Sequence, residues 1–95
     1  MLSAQGQVKT QKSQRYLKAL CNHFSHKAQA AHSDDRGSVN FSFGACELWA
    51  EAGTLTLRVQ AEDAEGLARV KSVVADHLER FSGDEALQVM WIDQG

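Results

Sequence analysis

Proline is absent from this sequence and cysteine occurs only twice, at Cys21 and Cys46. Without proline, slow cis–trans isomerism drops out of the folding problem. Two cysteines with no Cys-x-x-Cys spacing cannot make a disulfide framework or a ribbon-type zinc site, which points to a reduced compartment. No apolar run approaches the roughly 20 residues that a membrane-crossing helix needs. The first residues, MLSAQGQVKTQK, lack the apolar stretch of about 7 to 15 residues of a secretory signal. A cytoplasmic location away from the membrane is therefore expected. A basic excess is missing too: ten Lys and Arg stand against twelve Asp and Glu, a formal charge of −2. Nucleic-acid binders carry the opposite balance, so nucleic acid is not an expected partner. Low-complexity segments, repeats and linkers are absent, which leaves one domain over residues 1–95. P-loop, dinucleotide-binding, Gly-x-Ser-x-Gly and His-Glu-x-x-His motifs are absent as well, so no enzyme signature suggests a reaction or a cofactor.

What is present suffices for one core. Hydrophobic residues make up 43% of the chain and charged residues 23%, ordinary values for a folded domain. A helix is predicted from about residue 14 to 26, because Leu17, Leu20, Cys21, Phe24 and Ala28 recur at spacings of three and four, with Ser13 as its N-cap. A second helix follows from the stripe Leu67, Val70, Val74, Leu78 and Phe81, closed by Gly83. Between them, period-two alternation predicts strands. The short segment Ala28–Ser33 alternates, and a turn at Asp34–Gly37 uses Gly37 at positive φ. Val39, Phe41 and Phe43 then alternate with polar residues, as do Cys46, Leu48 and Ala50, then Leu55, Leu57 and Val59 after a hairpin at Glu51–Gly53. Leu87, Val89 and Trp91 predict a closing strand, and Gln7–Thr10 a short edge strand. The order β-α-β-β-β-β-α-β implies an α+β two-layer sandwich, with both helices on one face of a mostly antiparallel sheet.

Four histidines are the chemistry-bearing residues that stand out. His23 and His26, three apart on a helix, are neighbours on one face and can offer two metal ligands; His77 is the candidate third. The plainer reading has them bonded to nearby carbonyls, with His77 a half-buried core member. Arg15 in a first helical turn opposes the helix dipole, so either a carboxylate (Asp34, Asp35 or Glu79) or a bound anion should offset it. Tyr16 beside it suits a pocket rim. Cys21 and Cys46 fall on core-facing positions. Trp49 alternates onto the polar sheet face with Glu47, Thr56 and Arg58, where an aromatic ring marks a contact surface.

Several runs together resemble a known bacterial family. They are Arg15-Tyr16-Leu17, His23 with His26-Lys27, Asp35-Arg36-Gly37, Phe41-x-Phe43-Gly44-x-Cys46-x-Leu48, the stretch from Ala75 to Phe81, and Val89-x-Trp91. The pattern, from about Val8 to Trp91, is similar to the family called domain of unknown function 2218. Some members look like appendages of siderophore-interacting flavoproteins, so the resemblance implies a link to iron and siderophore metabolism, although this chain has no flavoprotein part. The matching polar positions are Arg15, His23, His26, Lys27, His77 and Arg80. If the helices are adjacent, these residues form one cationic pocket for a small anionic ligand or a chelated metal. That makes a non-catalytic ligand-binding module the leading expectation. The alternative is a protein-interaction module, or a homodimer, using the sheet face around Trp49.

Overall fold

The structure, a computed structural model, describes residues 2–26, 28–82 and 89–93. The elements are β1 (Leu2–Lys9), α1 (Ser13–Phe24), β2 (Gln29–His32), β3 (Arg36–Phe41), β4 (Gly44–Glu51), β5 (Thr54–Ala61), α2 (Ala64–Ser82) and β6 (Met90–Asp93). This is the expected element order. All six strands join one antiparallel sheet in the spatial order β2-β3-β4-β5-β1-β6. Helix α1 packs over β2, β3, β4 and β5, while α2 packs over β4, β5 and β1.

Strand alternation sends one set of side chains under the helices and leaves the other uncovered. Leu48 lies across from Leu57 and Cys46 from Val59, and these four residues are fully buried. Leu17, Leu20, Cys21 and Phe24 of α1 close over them, with Leu67, Val70, Val74 and Leu78 of α2. Removing a buried leucine from such a centre costs about 2 to 5 kcal/mol, because the cavity left behind cannot fully collapse. On the opposite face Glu47 lies across from Arg58 and Trp49 from Thr56. No helix of the described residues is long and apolar enough to cross a membrane.

The strand read as a short edge element at Gln7–Thr10 is instead the eight-residue β1, sandwiched between β5 and β6. Its core-facing residues include the small Ala4 and Gly6, which weakens the hydrophobic alternation. Gly6 is small for a reason: a Cβ on it would come within 2.6 Å of the Val89 side chain and 2.8 Å of the Trp91 ring.

Ser13 does not cap α1. The cap position belongs to Lys12, and the Ser13 hydroxyl donates instead to the Glu51 carbonyl at 2.8 Å. The helix stops at Phe24, two residues early, where the Ser25 hydroxyl turns back onto the Asn22 carbonyl. Gly37 is inside β3 rather than in the turn, and among the described glycines only Gly53 has positive φ, at 78°. Phe43 leaves the strand as well: β3 ends at Phe41, and residues 42 and 43 make the turn to β4. Gly83 and Leu87 lie outside the described residues.

Candidate functional site

Helix α1 brings His23 to its last turn, and α2 brings His77 alongside it. The two imidazole rings stand 4.5 Å apart, centre to centre, at an interplanar angle of 43°. Phe24 meets the His77 ring edge-on at 4.9 Å, and Phe81 meets His23 at 5.7 Å. Both histidines are half-buried, and Phe81, 37% exposed, stands at the solvent edge of the group. The His77 Nδ1 lies 2.7 Å from the Val73 carbonyl. A carbonyl only accepts, so Nδ1 carries the proton and Nε2 of the neutral ring keeps its lone pair. This is how a ligating histidine is commonly oriented, with its far nitrogen fixed by a backbone oxygen. The same bond also satisfies the plainer reading of His77 as a hydrogen-bonded core member.

The remaining predicted site residues do not converge on this pair. Arg15 is exposed and lines a separate groove with Gln11, Lys12, Glu51 and Gly53. Eight residues of helix separate it from His23, about 12 Å of rise, so one pocket holding every cation is not built. Asp34, a proposed partner of Arg15, pairs with Lys18 at 3.6 Å across an exposed gap. Tyr16 is buried in the core rather than at a rim, since its position in α1 turns toward the sheet. His26 falls beyond the end of α1 and is exposed. Lys27 lies outside the described residues. Arg80 is exposed in the last turn of α2, one turn on from His77. Among the described residues, no group of three or more His, Cys, Asp or Glu could hold a metal, so the three-histidine set is not assembled.

The sequence reading missed what lies beneath the histidines. Phe24 meets Phe41 edge-on at 5.1 Å, Phe41 stacks on Phe43 at 5.0 Å, and the Arg69 guanidinium sits 4.3 Å above Phe43. A ladder of rings thus runs from the histidine pair to a cleft of about 530 Å³ at the start of α2. Asn40, Gln60, Asp63 and Arg69 line this cleft with the two phenylalanines. Its signal was present in Phe41-Ser42-Phe43-Gly44, where one phenylalanine in a turn can lie flat on the other.

A family model described as an uncharacterized protein conserved in bacteria, DUF2218, matches residues 5–92. The chain belongs to this family. Among solved structures, the chain is similar to the NMR structure of PA4090 from Pseudomonas aeruginosa, 33% identical, with a TM-score of 0.82. That similarity covers 97% of this chain and 96% of the other. No curated protein matches.

In this DUF2218 chain the two cysteines behave as core residues. Both are buried as free thiols. Burial pushes the Cys21 thiol up from 9.0 to about 11, against a backbone hydrogen bond with Ser38 that lowers it. Burial raises Cys46 further, and the nearby Cys21 and Glu47 add to the shift. Neither is a thiolate nucleophile near neutral pH.

Proposed function

We propose that this protein is a non-catalytic binding module for a small anionic metal chelate, held between α1 and α2 by His23 and His77. The observation that carries the reading is the pair of imidazoles from different helices, 4.5 Å apart, with the His77 tautomer set by Val73. Two imidazoles bound to one metal ion through M–N bonds of about 2.1 Å hold their ring centres roughly 5.2 Å apart at a tetrahedral angle and roughly 4.5 Å apart at 90°, so this pair suits two cis positions of an octahedral ion better than a tetrahedral zinc. Two protein ligands leave a metal site incomplete, so the ion must bring further ligands of its own. The position at the end of α1 also favours positive charge, because the last carbonyls of a helix carry partial negative charge. Arg80, exposed one turn on from His77 and outside the imidazole pair, suits the anionic part of a chelate that reaches beyond the two rings. Such a ligand agrees with the link to iron and siderophore metabolism that the family resemblance implies.

Nickel nitrilotriacetate is a suitable probe, since it is anionic and offers two positions to imidazole. Calorimetric titration of the whole protein should give one site that His23→Gln and His77→Gln each weaken at least tenfold. Equal binding by the double variant would place the chelate on the exposed His26 or His32 and sink the reading.

A second reading has a specific observation behind it. Trp49 is half-buried on the uncovered sheet face, across from Thr56 and Arg36, and such an aromatic platform suits a protein partner. Loss of a partner from pull-downs on Trp49→Ala, with chelate binding intact, would favour it.

A further inference from the structure

Among the described residues three large apolar side chains are exposed, and the two most exposed share one strand. Met90 is 73% exposed and Ile92 is 69% exposed, both on β6. Two residues apart, they point to the same face, the one opposite the helices. β6 also ends the sheet order, and among the described residues no strand pairs with its outer edge. An edge that offers free backbone groups is ordinarily blunted by lysine, proline or a bulge. Met90-Trp91-Ile92 carries no proline and no charge, and its register with β1 runs unbroken from Met90 to Asp93. The opposite edge, β2, differs: it holds Gln29, Ala30, Ala31 and His32, and the His32 ring is tied to Asn22 of α1 at 3.3 Å.

We infer that β6 pairs antiparallel with β6 of a second copy of this chain, joining two six-stranded sheets into one of twelve. The occupant is a second copy because the strip complements itself. A twofold axis through Trp91 sets Met90 opposite Ile92 of the second copy, and Ile92 opposite its Met90. An isologous contact requires this reciprocity. The two most exposed apolar side chains of each chain then form one four-residue cluster on the open face. The register also suits the ladder, because pairing about a single residue keeps hydrogen-bonding positions opposite one another whichever parity faces outward. This pairing is independent of the histidine site, which lies between the helices.

Three paired residues per strand and two Met90–Ile92 pairs make a small contact. Stable interfaces bury about 1,000 Å² or more, so this dimer belongs to the weak class and dissociates on dilution. Sedimentation of the whole protein from about 10 μM to 1 mM tests it, a range that spans weak association. The expected result is a shift from monomer to dimer, with Ile92→Lys and Met90→Lys each weakening it at least tenfold. Both positions are exposed, so circular dichroism and thermal melting of the variants should match the parent. In a mixed sample of labelled and unlabelled protein, isotope-filtered contacts should link the Met90 methyl to Ile92 of the other copy. A monomer across the whole range overturns the inference. So does a dimer whose filtered contacts fall at Trp49, because that is face-to-face packing rather than strand pairing.

Discussion

Gly37 of β3 lies so close to Cys21 of α1 that a Cβ on the glycine would stand 2.6 Å from the cysteine Sγ. The helix is seated directly on the strand backbone there, and the thiol occupies the space a side chain would need. Gly37→Ala should cost about 1 to 3 kcal/mol through overpacking, which in a domain this size lowers Tm by roughly 4 to 8 °C per kcal/mol. Cys21→Ala removes the obstructing sulfur, so adding it should restore part of the loss. Chemical denaturation of the four species of this double-mutant cycle should give a coupling of about 0.5 kcal/mol or more. Additive effects would mean that the strain at Gly37 comes from another neighbour.

The same thiol makes stability fall at alkaline pH. In the unfolded chain Cys21 titrates near 9.0, and in the fold near 11. Between those values the unfolded state has lost a proton that the folded state keeps, so stability decreases as pH rises from about 9 to 11. Cys46, shifted upward as well, acts in the same direction. Urea midpoints measured across that window should decline, and less steeply in Cys21→Ala. At pH 8 a maleimide should label both thiols slowly in native protein and fast in urea. Rapid native labelling would contradict the burial.

Helix α2 depends on one cap. The Asp63 carboxylate accepts the Gly66 backbone N–H at 2.7 Å, satisfying a donor with no partner inside the helix. Asp63→Ala should lower stability by about 0.5 to 2 kcal/mol, while Asp63→Asn keeps the acceptor and loses less. Thermal melts of the two variants rank them, and equal loss would assign the effect to charge rather than to the hydrogen bond.

Much of this architecture was legible because burial imposes a period. Leu55, Leu57 and Val59 alternate, Leu67, Val70, Val74 and Leu78 return every three or four residues, and each pattern names its core face. β1 was misjudged where alternation rests on Ala4 and Gly6, the latter kept small by Trp91 and Val89 above it. A glycine read locally suggests a turn, yet Gly37 is required by a helix far away in sequence, and among the described glycines only Gly53 by its φ. The site divided along the same line. Adjacency of the two helices was inferable, and it brought His23 to His77. Arg15 was assigned from its opposition to the helix dipole and from the family resemblance, and Tyr16 from standing beside it; helical rise and rotation put them in a separate groove and in the core.

The last expectation concerns Gly6 and the anchoring of β6. Gly6 pairs with Trp91 in the ladder, and the indole bends across the space above the glycine, with the Lys71 ammonium 6.0 Å from its ring. An aromatic ring laid over a strand glycine covers backbone that no side chain of its own protects. Valine at position 6 suits a strand by propensity and would be neutral or stabilising if β1 were the edge. Because β1 is internal, the new methyl groups must instead displace the indole or lift β6. Gly6→Val should therefore destabilise the protein, and in a Trp49→Phe background the remaining Trp91 emission should move to longer wavelength. Quenching of that emission by acrylamide should rise in parallel. An unchanged spectrum with improved stability would remove Trp91 from its place over Gly6 and return β1 to the edge of the sheet.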